Sequence, residues 1–291
     1  MKFEYVKNYK YNELLRKSFN QLAMDVFEID FEVWYANGFW DETYICHSLV
    51  ENGKVISNVS ITKEEMLLNG KGKKAIQIGT VMTDPKYRNF GLAKQLMENV
   101  LDEYEQEVDL IYLFPNETVM DFYPKFGFTL IADYHYSTEI GGINPIKTDW
   151  RKIDITDKND LALLWQLASR RVKRSNRFDI INGISIFMWH CLNTISDTIY
   201  INLNEDIVVV FKENEGVIDL FEVVSKHPVI LRDLVGKLTG KTSAKVIFHF
   251  TPDFEDIDIS EMVEEKNEDL FIKPIELLSE FHFSHPAVAH T

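Results

Sequence analysis

One stretch of about forty residues constrains the fold of this chain most. From Ala75 to Met82 the sequence is largely apolar and strand-like, and a polar, basic turn follows, Thr83-Asp84-Pro85-Lys86-Tyr87-Arg88-Asn89-Phe90. A helix is expected from Gly91 to about Glu107. Leu92, Leu96, Val100 and Tyr104 recur at i, i+4, i+8 and i+12, flanked by Ala93, Met97 and Leu101, while Lys94, Glu98, Asp102 and Glu105 fall on the other face. One wide apolar stripe of this kind is an amphipathic helix. Asp109 to Phe114 then reads as a compact apolar strand. Strand, helix and strand in so short a span make a βαβ unit, which requires parallel pairing and a right-handed crossover. The turn inside it suits an anion. A glycine lets the backbone approach a bulky group, the first helical N–H groups lack partners, and Arg88 adds a rigid fork of donors.

The flanking signals build a mixed sheet around this unit. Residues 3–7 read as a short strand, and Leu14, Leu15, Phe19, Leu22 and Val26 place a helix over about 11–27. An aromatic loop follows, with Phe31, Trp34, Tyr35, Phe39, Trp40 and Tyr44. Strands at about 44–51 and 54–62 flank Asn52-Gly53, a strong two-residue hairpin signal. Residues 69–74 read as a polar Lys/Gly linker into the strand at 75–83. A short helix is expected over Glu117 to Tyr123, then two strands at about 127–132 and 134–140.

Gly141-Gly142-Ile143-Asn144-Pro145 is the best candidate linker, placing one domain at 1–142 and a second, smaller α/β domain at 143–291. There the pattern predicts helices over 159–174 and 180–192 and strands at 198–202, 206–212 and 216–224. A helix after Pro228 carries Leu231, Leu234, Val235 and Leu238 and ends by Gly240, before a strand at 245–250. Hairpin, helix and strand therefore occur twice in the same order. Ser225-Lys226-His227-Pro228 stands where the basic turn stands in the first copy, so the second half is expected to be degenerate. The fold class is α/β (α+β), with a mixed central sheet.

Charge narrows the partners. A net charge of −15 argues against nucleic acid, which is bound through clustered Lys and Arg, and suits a cationic acceptor such as an amine or a peptide N-terminus. Lys86, Arg88 and Lys94 make a local basic exception at the turn, with Lys71, Lys73 and Lys74 just upstream. No run of uncharged apolar residues is long enough to span a bilayer, and Met1-Lys2-Phe3-Glu4-Tyr5 does not read as a signal peptide. Cys46 and Cys191 fit neither a metal ribbon nor a disulfide framework. The expectation is a cytoplasmic protein with no membrane partner, whose second half shapes the substrate pocket or a homodimer contact.

Taken together, Arg88-x-x-Gly91-x-Ala93 after an apolar strand, Asn116, and Tyr123 before Gly127-Phe128 resemble the acyl-CoA-binding core of the GNAT superfamily of N-acetyltransferases, in tandem form if the second half is a copy. The resemblance covers residues 1 to about 140 and is most specific over 76–128. It implies a diphosphate held by Arg88, Asn89, Phe90, Gly91, Leu92 and Ala93. It also implies a strand that splays from its neighbour, so that Val81, Met82 and Thr83 pair with pantetheine and offer an N–H to the thioester carbonyl. Asn116 is expected to bond pantetheine or water, and Tyr123 to protonate the departing thiolate, although an aromatic packing role is open to it too. Acetyl-CoA is the expected co-substrate, and no metal is expected.

The general base is less marked. An alkyl ammonium with a pKa of about 10.4 is neutral in only about one molecule in 2,500 at pH 7, so a carboxylate should help. Asp41, Glu42 and Asp84 are candidates, each readable as a surface acid. The tail from Phe281 to Thr291 is apolar for a terminus and is expected to be docked. In some tandem members of the family a terminal carboxylate serves as base, a role the resemblance extends to Thr291. His282, His285 and His290 match no common metal spacing. Trp34 and Trp40, with Asp41 and Glu42, would form an aromatic and acidic wall for a cationic acceptor, or else an ordinary packed loop. The leading expectation is transfer of an acetyl group to a primary amine by direct attack in a ternary complex. The alternative is a non-catalytic acyl-CoA-binding regulator.

Overall fold

The structure, a computed structural model, describes residues 3–278 and 281–291. The chain runs β1 (Glu4–Lys7), α1 (Glu13–Phe27), α2 (Glu32–Ala36), β2 (Tyr44–Glu51), β3 (Lys54–Leu68), β4 (Lys71–Thr83), α3 (Leu92–Tyr104), β5 (Leu110–Leu113) and β6 (Thr129–Gly141). It continues through β7 (Arg151–Lys152), α4 (Lys158–Ala168), β8 (Phe178–Ile180), α5 (Ile184–Asn193), β9 (Ile199–Asn202), β10 (Ile207–Asn214), β11 (Val217–Val224), α6 (Leu231–Leu238), β12 (Ser243–Phe248) and β13 (Val263–Lys273). Thirteen strands of the described residues form one mixed sheet in the order β1-β2-β3-β4-β5-β13-β6-β12-β11-β10-β9-β7, with β8 beside β3.

The expected βαβ unit is present. β4 and β5 pair in parallel from Ala75↔Leu110 to Gln77↔Tyr112, with α3 between them in sequence. Leu92, Leu96, Met97, Val100, Leu101 and Tyr104 bury the predicted stripe against Ile76, Ile78, Ile111 and Leu113. Truncating a core side chain such as Leu96 to Ala costs about 2–5 kcal/mol at sites of this kind.

Two expectations about strands need correction. Residues 69–74 are no linker: β3 and β4 extend to a hairpin closed by Asn69-Gly70, whose φ angles of 46° and 74° are those of a two-residue turn. Lys71, Lys73 and Lys74 therefore sit about 30–40 Å of strand away from the basic turn, at the far end of β4. Likewise the two strands expected over 127–140 are one, β6. Its length is explained by a strand that the pattern does not reveal, the acidic β13, which pairs with both β5 and β6.

The repeated order is visible in the pairing. β9, β10 and β11 form an antiparallel run, α6 crosses, and β12 pairs in parallel with β11 from Val217↔Lys245 to Leu220↔Phe248. The strand that follows β5 lies beside β12, and the strand that follows β12 lies beside β5, so the two copies exchange their next strands. α1, α2, α4 and α5 share a second core on the sheet face away from α3. A buried charge cluster also ties strands together: Arg174 bridges Asp179 on β8 to Glu222 on β11, and Arg171 adds to Asp179.

Candidate functional site

β4 follows β5 only as far as Gln77 and then separates from it. The cause lies in a bulge. On the β3 side the register slips between Asn58 and Ser60, where β4 places Gly79 to Met82, and Thr80 takes a left-handed φ of 48°. Asn58 pins this irregularity. Its amide nitrogen donates to the Thr80 carbonyl and to Ser60 Oγ, both at 2.9 Å, while its oxygen accepts from Ser48 Oγ at 2.8 Å. Tyr44 reaches the same place, with its hydroxyl 2.8 Å from Thr80 Oγ1.

Beyond the bulge, Asp84 donates its amide to Ile56 on β3 at 2.8 Å. Ladder alternation then turns the Thr83 amide outward, to the open edge, and the Met82 amide inward, to β3. Met82 is thus not an oxyanion donor, and its side chain is in the core. The partly exposed side chain of Val81 packs on the α3 side.

The turn begins where β4 ends. Asp84 caps it, accepting the Lys86 amide at 3.0 Å, and its carboxylate is held by Lys54 at 2.6 Å. That hydrogen bond to Lys54 pulls the Asp84 carboxyl below the usual range, and the contacts to Lys54 and the Lys86 amide make Asp84 the cap of the turn. Asn89 and Gly91 both adopt positive φ, 67° and 76°. A left-handed Gly91 caps α3 with no side-chain hydrogen bond, and the first main-chain bond inside the helix runs from Gln95 to Gly91. The amides of Leu92, Ala93 and Lys94 therefore have no partner within the helix. Nothing lies within 4 Å of where a Gly91 Cβ would stand. Arg88 and Phe90 are exposed beside this open turn, and Lys94 is 3.6 Å from Glu98. Open space, free amides and an unencumbered guanidinium are what a diphosphate requires.

Asn116 and Tyr123 follow β5 in two short 3-10 turns in place of the expected single helix. Asn116 is exposed, and its side-chain oxygen caps the first turn through Thr118, leaving the amide nitrogen available. Tyr123 is 5% exposed and packs against Phe122, Phe128 and Phe271. Burial pushes its phenol up to about 12, so it keeps its proton at any working pH.

The tail is docked and returns to β4. Phe283 stacks on Phe178 at 4.3 Å, Ser284 exchanges hydrogen bonds with Thr251, and His285 donates its amide to Asp133 at 2.8 Å. The His285 ring is 2.8 Å from the Tyr112 hydroxyl, which donates in turn to Glu64. His290 stacks on Phe114 at 3.9 Å, and its carbonyl accepts from His190. His282 points elsewhere, to Glu264 at 2.9 Å. Among the described residues no group of His, Cys, Asp and Glu is arranged to hold a metal ion. Thr291 ends on the splayed part of β4, with its Oγ1 2.5 Å from Gln77 Oε1.

The aromatic wall is a correction. Trp34 and Trp40 stack at 5.4 Å inside the second core, with indole N–H groups donated to Ser185 and Tyr44 carbonyls. Trp34 ties the first half to α5, Trp40 packs among residues of the first half, and both are buried. Asp41 accepts from Thr43, and Glu42, exposed, pairs with Lys10 at 2.8 Å. Residues that the sequence reading missed, Asn58, Gln77 and Gly79, are placed at the splay; a glycine inside an apolar strand was the one available signal of close approach.

In the second copy the corresponding helix terminus is filled from within. The Asp256 carboxylate accepts the amides of Leu231 and Arg232 at 2.9 and 3.0 Å, at the start of α6. Beside it β11 and β12 part after Leu220, next to a cavity of about 360 Å³ lined by Val223, His227, Phe250 and Phe254.

Comparisons agree with this geometry. The GNAT acetyltransferase domain model matches residues 9–131. No characterised protein sequence matches the chain. Among solved structures, a conserved Enterococcus faecalis protein named a probable N-acyltransferase aligns at 15% identity over 96% of this chain and 74% of its own, with a TM-score of 0.60. Eis1 of Mycobacterium abscessus aligns at 13% identity over 95% and 74%, with a TM-score of 0.55. A GCN5-related N-acetyltransferase of Kribbella flavida aligns at 16% over 93% and 71%, with a TM-score of 0.52. At such identities the likeness is one of fold, and it extends over both copies. The sequence match shows a GNAT acetyltransferase domain over residues 9–131, and the splayed βαβ unit and the open turn before α3 lie within it.

Proposed function

We propose that the protein moves an acetyl group from acetyl-CoA to a primary amine by direct attack in a ternary complex. The observation that carries this reading is the set of unpartnered amides at the start of α3, under exposed Arg88 and beside the point where β4 leaves β5. Arg88 to Ala93 would hold the diphosphate. Pantetheine would lie along the open edge of β4, with the Thr83 amide turned toward it, and Asn116 would donate its free amide nitrogen.

Acyl-CoA supplies the activated thioester. The protein's part is to orient it, to stabilise the oxyanion and to move protons. Tyr123, protonated because it is buried, would give its proton to the departing thiolate. Thr291, seated on β4, would take the amine proton. Both cysteines are buried, and burial pushes both thiols up, which supports direct transfer over an acyl-cysteine intermediate.

Two variants test this. Gly91→Val should weaken acetyl-CoA binding in calorimetry by tenfold or more on the order-of-magnitude scale of a lost anion contact. Tyr123→Phe should keep that affinity and lower turnover by about 100-fold. Affinity for acetyl-CoA without turnover on a broad amine panel would instead establish the regulatory reading.

A further inference from the structure

The face of β4 that carries Ala75 and Gln77 packs away from α3, and Gly79 lies on it at the bulge. An added Cβ at Gly79 would stand 2.6 Å from Thr291 Oγ1 and 2.9 Å from both the carbonyl carbon and oxygen of Thr291. Gly79 has no left-handed φ, so its backbone tolerates a side chain, and it is the Thr291 contact that excludes one. Around the same contact, the Gln77 amide nitrogen, the Thr62 hydroxyl and His290 Nε2 are buried without a hydrogen-bond partner. Thr62 stands opposite Gln77 across the ladder, and His290 adjoins Thr291. Buried polar groups normally have partners, and the Gln77 and Thr62 orphans face each other across the ladder, where a polar ligand group or a water can complete them.

We infer that Gly79 is a positioning residue: its missing side chain makes the seat in which Thr291 is held, with Gln77, against the reacting edge of β4. The inference rests on the acyltransferase reading, in which Thr291 receives the amine proton. A methyl group at 79 must displace Thr291 by roughly 1 Å, and a misplacement of that size costs about 100-fold in rate.

The test compares Gly79→Ala with Gly72→Ala, a methyl group added to the same strand where nothing lies within 4 Å. Amide hydrogen exchange over residues 284–291, melting temperature, and kcat and KM with a turned-over amine are measured for each. Gly79→Ala should speed exchange in the 284–291 segment and lower kcat about 100-fold, with the KM for acetyl-CoA unchanged. Gly72→Ala should leave all readouts at their original values. Thr291→Ala removes the nearest atom at the seat, so its effect should be smaller in the Gly79→Ala background than alone. Unchanged exchange in Gly79→Ala, an unchanged kcat, or additive effects of the two substitutions would overturn the inference. If the unaltered protein acetylates no amine while exchange still responds as described, the seat stands and the catalytic reading fails.

Discussion

At the scale of single residues, the interior buries a carboxylic acid and imidazoles, Glu64, His285 and His190. Glu64 is buried with the Tyr112 hydroxyl donating to it, and burial pushes its carboxyl up to about 8. Burial likewise holds the His285 and His190 rings well below the usual histidine range, so this polar chain is neutral at pH 7. The sign of the pH effect follows. An unfolded chain releases the Glu64 proton near the ordinary value of 4.5, whereas the folded protein keeps it to about 8. The folded state therefore binds the extra proton between those values, and its stability falls as pH rises across them. Glu64→Gln cannot ionise. Its melting temperature relative to the original protein should climb from about pH 5 to pH 8 and then level off, as scanning calorimetry at a series of pH values would show. A constant difference over that range would contradict the assignment.

At the scale of elements, the decisive feature is the departure of β4 from β5. Strands in a sheet gain by pairing, so a separation needs something to hold it. Here the Asn58 side chain replaces the missing ladder bonds at Thr80, and the left-handed Thr80 turns the strand. Asn58→Ala leaves Thr80 and Ser48 without these partners inside the protein. The expected loss is about 1–3 kcal/mol by denaturant titration, with a fall in acetyl-CoA affinity as the open edge relaxes. An unchanged midpoint would show that the bulge holds itself. α3 contributes differently. Its stripe anchors the helix, while its capless start stays open, and the two properties sit on different ends of one element.

At the scale of the whole molecule, two similar units share a sheet through exchanged strands, and among the described residues they differ at the start of the crossing helix. The first presents free amides at α3; in the second Asp256 takes those of α6. A carboxylate already in place, attached to the chain and neutralising the same partial charge, excludes a diphosphate. Titration calorimetry should therefore give one acetyl-CoA bound per chain. A stoichiometry of two would show that Asp256 yields. The second copy has instead a supporting part: α5 covers Trp34, and the buried Arg171, Arg174, Asp179 and Glu222 cluster ties β8 to β11.

What the sequence determined by itself was local. The period of Leu92, Leu96 and Val100, the Asn52-Gly53 turn and the spacing of Arg88, Gly91 and Ala93 are short-range patterns, set by helix pitch, turn sterics and anion geometry. They were enough to locate the turn before α3 and the βαβ unit. Tertiary structure decided everything that depends on distant partners. Trp34 and Trp40 look the same in sequence whether they line a pocket or a core, and α5 makes them core. β13 has no alternating pattern to betray it, because its strand character comes from the waiting edges of β5 and β6. Gly79 acquires meaning from Thr291, 212 positions away in the chain but within contact in space. Only the folded chain brings such residues together, because that proximity arises from burial and pairing rather than from neighbouring positions.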